Sequence, residues 1–161
     1  MREDSVNALM KQTKAMLCVE CGKCASACPM VEIFEDFSYE ASPRGIVEKA
    51  LLGFDLLTDV GIWLCLTCDV CTELCPAGVR FRDFVSGVRA LAIEEGVTEH
   101  GLFCERCGKF VVPQHTVEYI ESKFKGEDGA EEYLRFCPSC RRYEFTAKLK
   151  DMRPAKSRVV V

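Results

Sequence analysis

The chain has 161 residues and a formal net charge of −4, which does not fit a general nucleic-acid-binding protein with a basic surface. Its 12 cysteines indicate either a disulfide scaffold or metal binding. The polar N-terminus lacks the apolar stretch of a signal peptide, and no run of about 18 apolar residues predicts a membrane span. We therefore expect a cytoplasmic protein whose thiols are reduced and available to metals.

A helix is predicted to lead into the first group of cysteines. The residues that recur at three- and four-residue steps on one face are Val6, Leu9, Met10, Thr13, Met16 and Leu17. The run C-x2-C-x2-C-x3-C-P follows, with Cys18, Cys21, Cys24, Cys28 and Pro29. Such close spacing lets three thiolates converge on three irons of one cluster, which is typical of [4Fe–4S] binding.

The segment between the two cysteine runs is predicted to be helical. Ser42 and Pro43 form a plausible N-cap and first helical residue. The apolar residues that follow at helical spacing are Ile46, Val47, Ala50, Leu51 and Phe54. Short β-ferredoxins have little between their runs, whereas 36 residues separate Cys28 from Cys65. The sequence therefore predicts a mainly α fold, an α-helical ferredoxin domain.

The second run repeats the first one 47 positions later, with Cys65, Cys68, Cys71, Cys75 and Pro76. The repeat extends to Leu17 and Leu64 and to F-x-D-F, at Phe34, Asp36 and Phe37 and again at Phe81, Asp83 and Phe84. We predict a pseudo-twofold duplication in which each cysteine loop is followed by a helix that packs on the clusters. The second of these helices has apolar residues from Phe81 to Ala92 and ends at Gly96.

In two-cluster ferredoxins the fourth cysteine of each run ligates the other cluster. We therefore predict one [4Fe–4S] cluster held by Cys18, Cys21, Cys24 and Cys75, and a second held by Cys65, Cys68, Cys71 and Cys28. Zinc is disfavoured here because zinc sites use paired C-x2-C knuckles. The candidates for tuning the cluster potentials, or for ordinary surface ion pairs, are Lys23, Arg44, Arg80 and Arg82. We expect Trp63 to shield the second cluster.

Two further C-x2-C knuckles predict a tetrahedral four-thiolate site at Cys104, Cys107, Cys137 and Cys140. We expect zinc in a zinc-ribbon domain, with a rubredoxin-like iron as the alternative. Short strands are predicted at 110–112 and 143–145, with a turn at 126–129. His100 and His115 flank the first knuckle and are weaker candidate ligands. The surrounding acidic residues disfavour nucleic-acid binding and favour docking to a partner protein: Glu118, Glu121, Glu127, Asp128, Glu131 and Glu132.

The predicted organisation has three parts. Residues 1–99 form the ferredoxin domain with its two clusters, and residues 100–147 form the zinc-ribbon domain, which is small enough to need its metal for folding. Residues 148–161 form a basic tail, either solvated or a docking strand.

Three segments resemble the small iron–sulfur protein of heterodisulfide reductase, its C-type component, over roughly residues 5–96. They are C-V-E-C-G-K-C-A-S-A-C-P, S-P-R-G-I-V-E-K-A-L-L-G and W-L-C-L-T-C-D-V-C-T-E-L-C-P-A-G-V. The resemblance implies an anaerobic, soluble complex in which this chain passes electrons between a flavin-containing, A-like component and a catalytic, B-like component. The chain lacks the C-C-G motifs of the catalytic components, so we expect no enzyme activity of its own.

Two other functions remain open from the sequence. Relatives of the same helical class link a dehydrogenase to quinone through a membrane partner, although this chain supplies no segment for direct membrane insertion. A sensor or scaffold protein that responds to cluster loss is the second alternative.

Overall fold

The computed structural model describes residues 2–35, 37–123 and 134–151. Their helices and strands are, in chain order, α1 (Arg2–Gln12), α2 (Lys23–Ser26), α3 (Met30–Ile33), α4 (Pro43–Leu51), α5 (Gly61–Leu64), α6 (Val70–Glu73), α7 (Phe81–Glu94), β1 (Gly101–Phe103), β2 (Phe110–Pro113), α8 (Gln114–Lys123) and α9 (Pro138–Asp151). Short 3-10 turns cover Ala15–Leu17 and Tyr39–Ala41. The prediction of a mainly α fold is confirmed. None of the helices described is both long and apolar enough to cross a bilayer.

The core lies where α1, α4, α5 and α7 meet. Its fully buried side chains include Met10, Ile46, Leu56, Ile62, Trp63, Phe84, Val85 and Val88. Helices α1 and α7 approach closely at Gly87, where a Cβ atom would lie only 2.7 Å from the Leu9 side chain. A larger residue at this position would clash with the Leu9 side chain unless that side chain moved.

Helix α1 is shorter than its apolar pattern predicts. The chain leaves the helix after Gln12, and Lys14 has a left-handed backbone with φ 63°. The backbone N–H of Arg80 donates to the Thr13 carbonyl at 2.9 Å, and its guanidinium donates to the Gln12 carbonyl at 2.5 Å. These long-range bonds satisfy the carbonyls at the helix end, so the extension of the helix to Leu17 was a wrong prediction.

Helices α4 and α7 begin and end close to where the sequence predicts. The Ser42 hydroxyl accepts a hydrogen bond from the Gly45 amide at 3.1 Å, and Pro43 is the first helical residue, as expected. Phe54, however, lies beyond the end of α4 and is 62% exposed, so its placement on the buried face was wrong. Helix α7 buries its predicted apolar face and is followed by Gly96 with φ 91°.

The predicted duplication does not extend to the helices that follow the two cysteine runs. Phe34 ends α3 in an extended conformation and Phe37 lies in a loop, whereas their counterparts Phe81 and Phe84 begin α7. Asp36 lies outside the described residues. The local F-x-D-F pattern starts a helix only in the second half, where the apolar face that follows it has a core to bury against.

The C-terminal segment contains one antiparallel pair of strands. β1 pairs with β2 through Leu102 opposite Val112, so the strand predicted at 110–112 is confirmed. The strand predicted at 143–145 is wrong, because these residues lie in the middle of α9. Pro138 occupies the first position of that helix and strong helix formers follow it. The turn predicted at 126–129 lies outside the described residues, as does the tail beyond residue 151.

Candidate metal centres

The two cysteine loops have the same backbone conformation at equivalent positions. Glu20 and its counterpart Thr67 are both left-handed, with φ 57° and 54°. Gly22 and its counterpart Asp69 are left-handed as well, with φ 75° and 73°. A left-handed backbone is unfavourable for a residue with a Cβ atom, so three of these four positions need support from the surrounding structure. The sequence repeat is therefore also a conformational repeat.

Gly22 and Asp69 each directly precede a short helix at equivalent positions. The amide of Ala25 donates to the Gly22 carbonyl and that of Thr72 to the Asp69 carbonyl, both at 3.0 Å. Helices α2 and α6 follow directly and contact each other. The two cysteine loops therefore have the same local geometry, and their helices lie against each other.

Cys75, from the second run, lies within the electrostatic reach of the first loop. Burial raises the pKa of the Cys24 thiol, and neighbouring thiolates at Cys18, Cys21 and Cys75 raise this pKa further. The charge of Cys75 therefore acts across the two halves of the molecule on Cys24 of the first run.

Cys28, from the first run, is correspondingly close to the second loop. Burial raises the pKa of Cys28, and charges at Cys65 and Cys68 add to the effect. Burial and the same two neighbours raise the pKa of Cys71 to about 12. These four cysteines line one cavity, whose wall is completed mainly by Pro29, Met30, Pro43 and Phe81. Of the four, Cys71 is buried and Cys68 is exposed.

The donor chemistry of both loops fits iron–sulfur clusters. All 12 cysteines are free thiols, so the disulfide-scaffold interpretation has no support in the structure. Backbone amides of Thr67 and Val79 donate to the sulfurs of Cys65 and Cys75, each at 3.3 Å. Amide donation to sulfur stabilises the thiolate form, which is the form that binds metal.

An arginine that the sequence interpretation missed lies beside the second loop. Arg89 is only 4% exposed and donates through Nε to the Ile62 carbonyl at 2.8 Å and through Nη2 to the Cys65 carbonyl. Burial raises the pKa of the Cys65 thiol, and the Arg89 charge opposes that rise. The sequence contained a sign of its burial, because Arg89 lies four residues after Val85 and therefore on the apolar face of α7.

Two of the predicted arginines form ion pairs with carboxylates of the loops. The Nη2 atom of Arg44, a buried residue, lies 3.1 Å from Glu20 Oε2 in the first loop. Arg82 lies 3.3 Å from Asp69 in the second loop. Lys23 is exposed and makes no ion pair with the carboxylates that the structure describes.

The remaining predicted arginine, Arg80, lies in an exposed ion pair with Asp83 at 3.4 Å. Such a pair contributes little to stability. The main structural role of Arg80 is therefore its hydrogen bonding to the end of α1.

Four cysteines outside the two loops form a compact second centre. The sulfurs of Cys104, Cys107, Cys137 and Cys140 all lie within 4.8 Å of one another, and those of Cys107 and Cys137 are 3.7 Å apart. Four metal–sulfur bonds of about 2.3 Å in a tetrahedron place the sulfurs about 3.8 Å apart, whereas a disulfide would bring them to about 2.05 Å. The geometry fits one metal ion.

Backbone amides lower the pKa of two thiols of this centre and so favour the thiolate form that binds metal. Amides of Cys137, Cys107 and Arg106 donate to the Cys104 sulfur and lower its pKa to about 6, with the Cys137 amide as the largest cause. The Cys140 amide lowers the pKa of Cys137 in the same way. Burial and neighbouring sulfurs raise the pKa of Cys140 to about 12.

His100 and His115 are not part of this cysteine set. Their rings stack on each other with centroids 6.4 Å apart, and His100 also contacts Trp63 at 6.1 Å. Trp63 is fully buried between the second cysteine loop and β2, where the ring of Phe110 lies 5.9 Å away. The C-terminal segment therefore packs directly on the half of the molecule that contains the second loop.

Residues 14–79 match the family model described as a 4Fe-4S dicluster domain. The matched range contains all eight cysteines of the two loops and ends before the four-cysteine centre. A comparison with curated proteins gives no match. The loops and the family match together define an iron–sulfur protein of the electron-transfer class, which binds 4Fe–4S clusters. The four-cysteine centre is a separate metal-binding group.

Proposed function

We propose that this chain relays electrons through two [4Fe–4S] clusters within a heterodisulfide-reductase-like complex. Its partners are the flavin-containing, A-like component and the catalytic, B-like component of such a complex. The sequence resemblance over residues 5–96 supports this choice of complex. The chain binds, orients and insulates the electron carriers and performs no substrate chemistry.

The cavity that Cys28 of the first run shares with Cys65, Cys68 and Cys71 of the second run is the observation that carries the proposal. The effect of Cys75 on the pKa of Cys24 also supports the proposed exchange of fourth cysteines between the loops. When bound, each cluster supplies one-electron redox chemistry. Because Cys71 is close enough to both Cys24 and Cys28 for their charges to raise its pKa, the two sets adjoin. Adjacent sets favour fast electron exchange.

The two cysteine sets have different charged neighbours, which would give their clusters different reduction potentials. The buried guanidinium of Arg89 places a positive charge beside Cys65, whereas Arg44 reaches the first loop through Glu20, which neutralises part of its charge. A cation beside a cluster favours the more negative, reduced state. We therefore propose that the second cluster has the higher potential.

For the four-cysteine centre we propose a structural zinc ion, with iron as the alternative. The first knuckle joins β1 to β2, and the second knuckle begins α9 at Pro138. An ion bound to both would connect the hairpin to the helix and hold Phe110 against Trp63. Its folding energy would stabilise a segment with little core of its own.

Anaerobic purification of the native protein tests the proposal. About eight irons, a similar amount of sulfide and one zinc are expected per chain, together with a co-purifying flavoprotein. Dithionite reduction should produce the EPR signals of two interacting clusters. About three or fewer irons per chain under strict oxygen exclusion would contradict the two-cluster proposal. A full complement of iron without any stable partner would instead indicate a free carrier.

A further inference from the structure

The two halves of the molecule differ at one set of equivalent apolar positions. In the first half these positions, here called the loop-1 patch, are Met16, Leu17 and Val19. Their counterparts, 47 residues later, are Trp63, Leu64 and Leu66. The loop-1 patch is exposed, at 45%, 58% and 64%, whereas the counterparts are buried or half-buried. The same structural position is therefore open in one half and covered in the other.

The chain's own C-terminal segment covers the second-half positions. Trp63 packs against Phe110, as described above. Leu64 and Tyr119 of α8 line one cavity, Leu66 and Phe110 of β2 line another, and both leucines are half-buried. The cover consists of an apolar hairpin and a helix with exposed Glu118. It shows what kind of surface fits this position of the duplicated fold.

The loop-1 patch differs from its counterpart in charge as well. Lys14 and Lys23 flank it, whereas the equivalent positions carry Gly61 and Val70. Both lysines are exposed, and neither pairs with a carboxylate in the part of the chain that the structure describes. Two such cations around an apolar patch stand out on a chain of net charge −4. A surface complementary to them carries carboxylates.

The patch lies at the mouth of the first cysteine loop. Cys21, between Val19 and Lys23, is the exposed cysteine of its run. Lys14 extends to the other side of the site, since its Nζ lies 4.0 Å from where a Cβ of Gly78 would be, shortly after Cys75. A protein seated on the patch would therefore be next to the proposed first cluster.

We propose that the loop-1 patch docks a redox protein whose surface has an apolar centre and a carboxylate rim. The partner would cover the loop-1 patch in the way that the chain's own C-terminal segment covers the equivalent positions of the second half. This inference rests on the proposed relay function. In one direction of flow, the reduced first cluster loses one electron and the partner's acceptor gains it, with no bond made or broken; the reverse direction uses the same contact.

Two small oxidants of opposite charge test the basic rim. Holo-protein reduced with dithionite and freed of excess reductant is mixed in a stopped-flow instrument with FMN, an anion with an aromatic ring system, or with tris(ethylenediamine)cobalt(III), a cation. In Lys14→Glu/Lys23→Glu, the second-order rate with FMN should fall about tenfold at low salt, and the rate with the cobalt complex should rise. The matched control Lys109→Glu/Lys123→Glu makes the same change in net charge away from the patch, and both rates should change less than about twofold. Equal effects of the two double variants would overturn the inference.

The apolar part of the patch is tested with Leu17→Ser/Val19→Ser. These side chains are exposed, so the variant should keep its full iron content, while the FMN concentration for half-maximal rate rises about threefold. An unchanged FMN dependence would overturn the inference. So would sedimentation showing a wild-type dimer that the serine variant dissociates, because the patch would then be covered by a second copy.

Iron analysis distinguishes a failure of the proposed function from a failure of the docking inference. A wild-type protein without clusters would contradict the proposed function itself. A protein with full clusters, in which the Lys14 and Lys23 variant behaves like its control, contradicts only the docking inference.

Discussion

Arg89 of α7 donates a hydrogen bond to the carbonyl of Cys65, the first cysteine of the second run. The same guanidinium donates to Ile62 and lies over the Trp63 ring, with Cζ 5.9 Å from the ring centroid. A buried cation thus fixes the entry of the second loop and places positive charge next to one ligand set. On the first loop the buried Arg44 instead pairs with the Glu20 carboxylate, which offsets its charge.

Replacing Arg89 by Met should lower the potential of one cluster and leave the other nearly unchanged. Loss of a positive charge several ångströms away destabilises the reduced cluster, by about 50–150 mV at an effective dielectric constant near 20. EPR-monitored redox titration measures both potentials.

Two further variants serve as references for Arg89→Met. Arg89→Lys keeps the charge and should shift the potential less, while Arg80→Met removes an exposed arginine and should shift neither potential. If Arg89→Met shifts both clusters equally, the charge does not act locally on the second loop.

Replacing the fourth cysteine of either run tests the exchange of ligands. Cys28→Ser should alter the EPR signal of the cluster whose potential responds to Arg89→Met, because Cys28 shares a cavity with Cys65, Cys68 and Cys71. Cys75→Ser should alter the other cluster. The opposite assignment, with Cys28→Ser leaving the Arg89-sensitive cluster intact, would show that each run holds its own cluster.

Gly22→Ala should accelerate iron release. Gly22 has φ 75° and open space where a Cβ would lie, so the cost is conformational, about 1 kcal/mol, and falls on the first loop. The rate of iron release in dilute denaturant, followed by chelator absorbance, should rise about fivefold, the factor that corresponds to this cost.

Gly53→Ala is the matched control for Gly22→Ala. Gly53 has φ 77° and equally open surroundings but lies outside both loops. Similar iron-release rates in the two variants would mean that the backbone of the first loop does not limit cluster retention.

Removal of the four-cysteine metal should be visible in the fluorescence of Trp63, the single tryptophan of the chain. Cys107→Ser weakens the centre, and we expect loss of one zinc together with a red shift in emission, because Phe110 no longer covers the indole. Iron content should stay at about eight per chain.

Ser139→Ala, at the exposed residue between Cys137 and Cys140, is the control and should keep both zinc and emission. An unshifted spectrum after complete zinc loss would show that the hairpin holds its position without metal.

The sequence by itself determined the local features of this protein. Cysteine spacing identified both loops and the four-cysteine centre, and Ser42–Pro43 marked the start of α4, because these features depend on residues a few positions apart. The equal backbone of Glu20 and Thr67 likewise follows a repeat visible in the sequence.

The tertiary structure decided everything that depends on distant partners. Helix α1 ends at Gln12 because Arg80 satisfies its carbonyls, and the strand that pairs with β2 is β1 rather than residues 143–145, which lie in α9. Arg89 is a buried cation only because α7 packs on the second loop. Whether an apolar residue is covered, as Trp63 is, or open, as Leu17 is, depends on which segment packs over it, and no local pattern contains that information.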